Sequence, residues 1–506
     1  MVFSTIFKKQ SLRFPELPSL LFIYLVIGLL SIRQSFLLND LDVCWLIRTG
    51  ELILQTGNLP ESDIFSFTYY GKAWVLYQWG FEIFLGGLHL LAGLGGVIFG
   101  VTILIALAYS LLFNFLLRTG IHRGICIGLV SLTMLANSFH WLARPNTASI
   151  LFYITLITIL ENYRNFPNRR IFLLVFLFIF WANIHLGFIF GLLVLFIYAL
   201  WAFLIPNNFR PSWNRKDYKL LFVFTLCLIA TLINPYGFQL FSYLWDLSQA
   251  TNMNAHIGEL HSPNFHSPRH FAFIIQLILL FWFGGINYSG KTLFLTIMCI
   301  TLIMGLYSAR HIPYFSVPAS IHIAYSLKGK EGELKKLLFS SNFKNGWGWG
   351  FTVFFLCFIW VILIYRFRPE FYYFSEKKIP IGATKYFESV IDDNEKINIL
   401  STGAGGQWND YFLYRFYPRV RVFIDTRFDI YGDTFFKNYL TLRNNLKCDL
   451  SSLKAWDIDF LVLKKNKKIE SQINLLLEPL DRPLAVPPWK LVFEDEQAII
   501  YHNQKQ

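Results

Sequence analysis

Charged residues are scarce in this chain of 506 residues. Only 15% of the residues are Asp, Glu, Lys or Arg, whereas 55% are apolar and 18% are aromatic. Soluble globular domains carry about 25% charged residues, so this composition is not typical of one. Uninterrupted apolar runs of about 20 residues recur along the chain, which is the length of a transmembrane helix. The sequence therefore predicts a polytopic α-helical membrane protein.

Cysteine is also scarce, and its spacing excludes two kinds of site. The sequence has no CxxC pair and no Cys/His spacing typical of zinc ligands, so it indicates neither a disulfide framework nor a structural zinc site. Four of the six cysteines lie within or beside apolar runs; the six are Cys44, Cys126, Cys227, Cys299, Cys357 and Cys448.

Acidic residues are fewer than basic ones, and the formal net charge is +13. Lys and Arg lie mainly in short clusters between the apolar runs, as cytoplasmic loops of membrane proteins require, so we predict no nucleic-acid partner. The sequence also shows no internal repeat, and the inverted symmetry of many secondary transporters therefore has no support.

The first apolar run, residues 20–38, follows three basic residues, and no small-residue cleavage site comes after it. This pattern predicts an uncleaved anchor with a cytoplasmic N-terminus. Residues 80–91 are apolar but too few to cross a bilayer, and the Gly-rich residues 92–96 separate them from the longer run 97–117. We therefore predict a re-entrant or interfacial helix at residues 80–91.

The apolar runs together give about 11 spans at about 20 residues per span. WANIHLG divides the run 171–205, and we place its Asn183 and His185 at an outer turn. The last predicted span, residues 349–365, follows a basic cytoplasmic loop at residues 328–344. The other spans predicted in the second half of the bundle are residues 220–233, 271–286, 293–307 and 312–325.

Charges become frequent from about Arg366 onward, and long apolar runs stop. We therefore divide the chain into a transmembrane domain, residues 1–367, and a small C-terminal α/β domain, residues 368–506. An odd number of spans from a cytoplasmic start places the second domain on the extracytoplasmic side. Its predicted strands are residues 397–400, 421–425, 460–463 and 498–502, and its predicted helices are residues 433–445 and 469–477.

An acidic outer loop, residues 38–82, follows the first predicted span. It carries Asp40, Asp42, Asp63 and Glu82, and the residues around Asp42 have the spacing of a short surface helix. Carboxylates beside a membrane are costly to desolvate, so they usually face water, a partner or a site. Each acid also has a structural interpretation, as a helix N-terminal residue, a turn residue or a buried partner.

A second outer loop, residues 234–270, lies at the same end of the predicted helix bundle as the acidic loop. It contains Glu259 and four histidines. The histidine spacing matches no tight metal motif. Cationic residues that suit an anion site lie at other outer turns, although each could instead be an interfacial anchor with a buried stem. These candidates are Arg144, His185, Arg310 and His311.

Short strings along most of the chain resemble, in order and spacing, the GT-C superfamily of polytopic membrane glycosyltransferases, which use polyprenyl-phosphate-linked sugars. The strings are the acidic pair after the first span, RTGELILQTGNLPESDIFSFT, WGFE, LARPN, WANIHLG, NPYG, the GEL and SP pieces of residues 258–263, and GGQWNDYFLYRFYPRVRVFIDTRFDIYG. The resemblance implies transfer of a sugar from such a donor to an acceptor on the extracytoplasmic side. It implies a multi-pass protein of the bacterial inner membrane whose partners are membrane lipid, the donor, and a glycan, protein or lipid acceptor.

This chemistry needs a carboxylate that deprotonates or orients the acceptor, and cations that hold the phosphate as charge builds on it. We expect Asp40 or Asp42 in the first role, supported by Asp63 and Glu82, and the four cationic candidates above in the second. A divalent cation, Mg²⁺ or Mn²⁺, held by Asp40 and Asp42 is a further option, because paired carboxylates suit a hard ion. The family includes metal-dependent and metal-independent members, so both stay open. We expect the transfer to invert the configuration at the anomeric carbon of the sugar.

The C-terminal domain supplies candidates for holding the acceptor or acting as a lid. WNDY, at residues 408–411, resembles the WWDYG motif of oligosaccharyltransferase catalytic subunits but departs from it at two positions, which weakens the case for Asn-sequon glycosylation. Asp425 and Arg427 follow a predicted strand, where α/β domains place ligand groups, or they form an internal salt bridge. The candidates from this domain are Trp408, Asp410, Asp425 and Arg427, and Glu259 of the second outer loop joins them.

Two other function classes stay open. A transporter or flippase of a lipid-linked or anionic solute would also want a cationic, aromatic-rich cavity. It would not need an acid directly after the first span or a capping α/β domain. A non-catalytic envelope assembly protein would tolerate the loss of Asp40.

Overall fold

The computed structural model describes residues 16–31, 36–206, 216–283, 291–328, 374–375, 377–392, 395–445, 453, 455–465 and 489–504. The fold has two parts, a bundle of apolar helices and a smaller C-terminal part built on a five-stranded sheet. Within the described residues, one helix, Trp79–Arg118, is long and apolar enough to cross a membrane by length and composition, and shorter apolar helices pack around it. The predicted span count therefore stays a prediction.

The helices of the bundle are apolar on most sides, as expected of helices that face both neighbours and lipid. Proline begins α5 and lies in the first turn of α13, where its missing N–H has no partner to lose. In chain order the helices are α1 Leu17–Leu30, α2 Asp42–Thr56, α3 Trp79–Arg118, α4 Arg123–Asn137, α5 Pro145–Asn165, α6 Leu173–Ala182, α7 Phe188–Leu204, α8 Tyr218–Ala230, α9 Gln239–Gln249, α10 Thr251–Asn254, α11 Phe271–Phe283, α12 Lys291–Tyr307 and α13 Ile312–Leu327.

The first predicted span differs from the structure in its end. Helix α1 ends at Leu30, and a short 3₁₀ turn, Phe36–Leu38, follows it. Ser31 caps the helix, with its N–H donating to the Ile27 carbonyl at 3.0 Å, and the polar residues Arg33 and Gln34 interrupt the apolar run in the sequence. The acidic loop therefore begins earlier than the run of apolar residues predicts.

Helix α3 breaks and reverses direction where the sequence predicts a break. Ala92 and Gly93 leave the helical conformation, and Gly93 has φ +59°. A Cβ at Gly96 would lie 2.3 Å from the Leu88 carbonyl oxygen, so residues 94–118 fold back against residues 79–91. The predicted break is thus present, and the re-entrant or interfacial placement of residues 80–91 stays a prediction.

Helix α2 is the short helix predicted in the acidic loop. It ends at Gly57, which adopts the left-handed conformation with φ 70°. Its middle crosses residues 79–91 of α3 at a glycine pair, because a Cβ at Gly50 would lie 1.8 Å from the Glu82 carbonyl oxygen and one at Gly86 would meet Gly50. Only glycine permits this approach, which fixes the acidic end of α2 relative to the bundle.

The C-terminal part contains one mixed sheet of order β2-β1-β3-β5-β4. Strand β1 runs parallel to β2 and β3, and β5 runs antiparallel to β3 and β4. The strands are β1 Ile397–Ser401, β2 Val420–Val422, β3 Phe460–Lys464, β4 Trp489–Glu494 and β5 Ala498–Asn503, and the helices are α14 Ile381–Val390, α15 Gln407–Phe416 and α16 Phe428–Asn445.

Four of the five strands correspond to predicted strands, and β4 was not predicted. Strand β2 begins and ends earlier than predicted. Phe423 still donates its N–H to the Ile399 carbonyl of β1 at 2.9 Å, but from Ile424 onward the backbone bonds to buried side chains instead. Helix α16 begins before its predicted start and is interrupted at Gly432. The predicted helix 469–477, the predicted last span, most of the basic loop before it and the predicted boundary at residues 367/368 lie outside the described residues.

The acidic loop and the sheet are joined by backbone hydrogen bonds. The Phe67 N–H donates to the Val422 carbonyl, and the Val422 N–H donates to the Phe65 carbonyl, both at 3.1 Å. The Thr68 hydroxyl donates to the Phe423 carbonyl at 2.6 Å. The loop therefore extends the sheet at its β2 edge, and the sheet covers the end of the bundle at which Asp40 lies.

Candidate active site

A cavity of about 1300 Å³ lies between this end of the bundle and the sheet. Its walls come from the acidic loop and α2, the turn before α5, the α6–α7 turn, the second outer loop and the turn between α12 and α13. The segment after β2 and the start of α15 close it from the sheet side. This volume exceeds the roughly 300–1,000 Å³ typical of small-molecule sites, so it can hold two reacting groups at once.

Five of the predicted site residues meet on one wall of this cavity. The Arg144 guanidinium lies among three carboxylates: its Nη1 is 2.9 Å from Asp40 Oδ2, and it also contacts Asp42 and Glu259. Arg310 donates to Glu259 Oε2 through Nε and through Nη2, each at 3.1 Å. We call these five residues, Asp40, Asp42, Arg144, Glu259 and Arg310, the charge cluster.

The charge cluster has three carboxylates and two guanidiniums, and its acids titrate differently. Burial raises the pKa of Asp40; Arg144 opposes this rise and Glu259 adds to it. Burial also disfavours the charged form of Glu259, but Arg144 and Arg310 outweigh it and hold the pKa of that carboxyl well below its ordinary value. Glu259 is thus a fixed anion, whereas Asp40 has the more basic carboxylate, which suits proton transfer.

His185 and His140 lie on the same side of the cavity as neutral groups. Burial lowers the pKa of His185 to about 3 and that of His140 to about 4, and the neighbouring arginine charges contribute. Nδ1 of His185 is 2.7 Å from the Ser149 hydroxyl, which also accepts from the Trp181 indole N–H at 2.8 Å. His185 therefore borders the cavity as an uncharged side chain, and its predicted phosphate-binding role stays a prediction. His311 also borders it, and burial lowers its pKa as well.

Asp63, Asp425 and Arg427 form a buried ion cluster under the sheet. Arg427 Nη2 donates to Asp63 Oδ1 at 2.7 Å, and Nε and Nη2 contact the two Asp425 oxygens at 2.9 and 2.5 Å. Asp63 also accepts from the N–H groups of Phe65 and Ser66, as a turn residue does. This cluster ties the acidic loop to the sheet, and Arg427 borders the cavity. Asp425 therefore fits the salt-bridge interpretation.

Three other predicted residues do not border the cavity. Glu82 is fully buried in α3 beneath the α2 crossing. The Trp408 indole N–H donates to the Lys378 carbonyl at 2.8 Å, so it anchors α15. Asp410 Oδ1 accepts from the Thr426 N–H at 3.1 Å, and burial, with Asp425 nearby, raises the pKa of Asp410 well above its ordinary value. Their site roles stay predictions.

The sequence prediction missed one hydrogen-bond partner of Asp40 and one cation near it. The Gln407 side-chain amide donates to Asp40 Oδ1 at 3.1 Å, from the first residue of α15. Lys378 donates to the Asn39 carbonyl at 2.7 Å and lies close enough to lower the pKa of Asp40. Gln407 directly precedes the WNDY string, and that position was the one available signal.

Solved structures with the same fold include an archaeal oligosaccharyltransferase. The Archaeoglobus fulgidus enzyme, tethered to an acceptor peptide containing the NVT sequon, superposes with TM-score 0.54 at 12% identity over 88% of this chain and 68% of that one. AglB from the same organism, in complex with an inhibitory peptide and a dolichol-phosphate, gives TM-score 0.53, 12% identity and coverage of 88% and 69%. No protein-family profile and no curated protein sequence matches the chain.

A second neighbour is ArnT from Cupriavidus metallidurans bound to undecaprenyl phosphate, with TM-score 0.49, 11% identity and coverage of 96% of this chain and 97% of that one. The archaeal matches, at 12% identity, show that this chain shares the fold of that oligosaccharyltransferase, as the predicted resemblance implies. Matches at this identity show the fold alone, so the glycosyltransferase activity stays a prediction here.

Proposed function

We propose that this chain is a membrane glycosyltransferase that moves a sugar from a polyprenyl-phosphate-linked donor to an acceptor on the extracytoplasmic side. The observation that carries the proposal is the charge cluster, which places a basic carboxylate and two guanidiniums on one wall of a large cavity. Two archaeal neighbours support it, since one was solved with a dolichol-phosphate and another with an acceptor peptide.

Asp40 is the proposed general base. Its carboxylate takes the proton from the acceptor nucleophile as the new bond to the sugar anomeric carbon forms. The bond between that carbon and the phosphate oxygen breaks, and the electron pair leaves with the polyprenyl phosphate. Because the nucleophile attacks opposite the leaving group in one step, the configuration at this carbon inverts.

Arg310 is the proposed contact for the phosphate. Its side chain is 35% exposed, the highest fraction in the charge cluster, and both of its contacts go to a single oxygen of Glu259. A phosphate that enters the cavity can therefore reach this guanidinium while Glu259 keeps its contact with Arg144. The Arg144 side chain is 20% exposed and lies on the inner side of the charge cluster. From there it stabilises the negative charge that develops on the phosphate.

The donor set does not fit a divalent cation at Asp40 and Asp42. One archaeal neighbour was solved with zinc and sulfate. Here, however, the Arg144 guanidinium already lies among Asp40, Asp42 and Glu259, where an ion bridging the two aspartates would have to be. In the described part of the chain, no group of three or more His, Cys, Asp or Glu residues is placed to share an ion. The mechanism proposed above uses none.

Transfer from polyprenyl-phosphate sugars in proteoliposomes tests the proposal. We expect Asp40→Asn to retain lipid binding and to lower turnover by about 10²–10⁴-fold, the usual contribution of a general base. Asp246→Asn, an exposed aspartate outside the cavity, is the matched control and keeps full turnover. Movement of the lipid across the bilayer without cleavage of the sugar bond would favour a flippase instead, and full turnover of Asp40→Asn would refute the role of Asp40.

A further inference from the structure

The two carboxylate oxygens of Asp40 have different partners. Oδ2 lies 2.9 Å from Arg144 Nη1. Oδ1 accepts the Asp42 N–H at 3.2 Å and the Gln407 side-chain amide at 3.1 Å. Of these partners, Gln407 is the one that comes from the C-terminal part of the fold. The mechanism proposed above uses Asp40 and Arg144 and gives Gln407 no role.

The chain turns sharply to bring Gln407 to Asp40. Gln407 is the first residue of α15, and Gly406 before it has φ +104°, in the left-handed region that favours glycine. Gln407 is half-buried and lines the cavity, and the Asp40 side chain is 15% exposed. The two side chains therefore meet at the cavity wall, where the acceptor has to approach the base.

The other end of α15 is fixed to α2, the helix that begins at Asp42. Arg48 Nε donates to the Tyr414 carbonyl at 2.8 Å, and the Arg48 guanidinium carbon lies 5.4 Å from the centre of the Tyr414 ring. We call Arg48 and Tyr414 the clamp. Tyr414 lies about two helical turns after Gln407, and Arg48 lies about two turns after Asp42. Helices α2 and α15 are therefore held together at both ends.

The chemistry of a carboxylate and an amide fixes the effect of this contact. An ionised carboxylate can only accept hydrogen bonds, so the amide nitrogen of Gln407 has to face it. Such a bond stabilises the ionised form of Asp40, which is the form that takes a proton. It also fixes the plane of the carboxylate, because Oδ1 is held from two sides. Besides Asp42, the charged or titratable groups that face Asp40 are Arg144, Glu259, Arg310, Lys378, Asp410 and Cys44.

We propose that Gln407 is a positioning residue, which keeps Asp40 ionised and oriented for proton transfer, and that the clamp places Gln407 for this task. The C-terminal part of the fold then contributes to the base itself, in addition to covering the cavity. This inference rests on the proposed function and deepens it, because it names a residue that controls Asp40. It leaves the bonds formed and broken in the transfer unchanged.

The test compares two substitutions of one side chain. Gln407→Met keeps the length and removes the donor, whereas Gln407→Lys keeps a donor and adds positive charge. Gln239→Met, at an exposed glutamine outside the cavity, is the control. Infrared difference spectra of the full-length protein in proteoliposomes follow the carboxyl band that Asp40→Asn removes, so they report the protonation of Asp40 without turnover.

Turnover and KM are measured over the same pH range with undecaprenyl phosphate carrying one hexose or N-acetylhexosamine. Binding of bare undecaprenyl phosphate and thermal unfolding are followed in parallel.

We expect Gln407→Met to move the midpoint of the Asp40 titration to higher pH by about 1, because a hydrogen bond to a charged group has been lost. Gln407→Lys should move the midpoint to lower pH. The acid limb of turnover should follow in both variants, so turnover of Gln407→Met below its limb falls about tenfold. KM, affinity for the bare lipid and the control should be unchanged.

The clamp is tested with Arg48→Met, alone and combined with Gln407→Met. We expect the single variant to move the midpoint to higher pH, and the combination to move it no further than Gln407→Met does. A direct effect of the lost Arg48 charge would add to the effect of Gln407→Met. Additive shifts would therefore remove the clamp from the proposal.

Three results would overturn the role of Gln407. An unchanged midpoint in Gln407→Met would show that the amide does not act on Asp40, while the glycosyltransferase proposal would stand on its own assay. A raised KM with an unchanged midpoint would make Gln407 a substrate contact. An equal loss of turnover at every pH, together with a lower unfolding temperature, would leave Gln407 only a part in the packing of α15.

Discussion

The two ends of helix α5 both bring a guanidinium against carboxylates, in different settings. At the C-terminal end, Arg164 donates to both oxygens of Glu161 at 2.8 and 2.7 Å, and the hydroxyls of Tyr198 and Tyr325 donate to the same carboxylate at 2.8 and 2.7 Å. At the N-terminal end, Arg144 faces three carboxylates at a cavity wall. The helix has 21 residues, so about 30 Å separates the two sites.

The two sites differ in their exposure to solvent. The side chains of Arg164 and Glu161 are 4% and 0% exposed. In the charge cluster the side chains are 10–35% exposed, and carboxylates outnumber guanidiniums. A closed ion pair holds helices together, whereas an open cluster with more carboxylates than guanidiniums can exchange a proton or accept a phosphate. We therefore assign stability to one end of α5 and chemistry to the other.

Glu161→Gln should produce the largest effect on stability. It removes the charged carboxylate that accepts two hydrogen bonds from the buried Arg164 guanidinium, and we expect a loss of about 3–5 kcal/mol in the free energy of unfolding. The double variant Glu161→Gln with Arg164→Gln removes both charges and should recover much of that loss. Thermal or denaturant unfolding in detergent measures both, and a single variant as stable as the wild type would erase the contrast between the two ends.

Asp42→Asn should mainly affect turnover. Its carboxylate contacts Arg144, but Asp40 and Glu259 still hold that guanidinium, so we expect turnover to fall by about tenfold, or roughly 1.4 kcal/mol. The unfolding temperature should change little, in contrast to Glu161→Gln. A loss of turnover as large as that of Asp40→Asn would move the base to Asp42 or divide the role between the two.

The pH dependence of transfer should shift in opposite directions in two variants. A base with a raised pKa is active only when ionised, so turnover should fall as the pH drops through the pKa of Asp40. Lys378→Gln removes a charge that lowers this pKa, so the acid limb should move to higher pH. Glu259→Gln removes a charge that raises it, so the limb should move to lower pH. Shifts of the same sign in both variants would exclude Asp40 as the titrating group.

Chelation should have the smallest effect. Because the Arg144 guanidinium already occupies the position among Asp40, Asp42 and Glu259, treatment with EDTA should leave turnover unchanged, and added Mg²⁺ or Mn²⁺ should not raise it. The assay is transfer in proteoliposomes before and after chelation. Recovery of activity by a divalent cation after chelation would contradict this arrangement.

Part of this site could be predicted from the positions of charged residues relative to apolar runs in the sequence. A carboxylate pair directly after an apolar run, and single cations between apolar runs, identified Asp40, Asp42, Arg144 and Arg310. The break at residues 92–96 followed from glycine content. Local pattern also placed four of the five strands.

Contacts between distant residues could not be predicted in this way. Glu259 reaches Arg144 across 115 residues, and Gln407 reaches Asp40 across 367. Their pairing depends on how the helices and the sheet pack against each other. The spacing of apolar residues along the chain does not predict this packing. Strand β4 was missed because it lies at the edge of the sheet, and its side chains show no alternation of buried and exposed positions. His185 was assigned a charge because burial, which keeps it neutral, is a property of the folded chain.

A density map of the protein in a lipid nanodisc with undecaprenyl phosphate tests the central claim most directly. We expect phosphate density within hydrogen-bond distance of Arg310, on the cavity wall that also carries Asp40. Phosphate bound at the opposite end of the bundle, for example beside Arg169 and Lys219, with the cavity free of lipid, would contradict it.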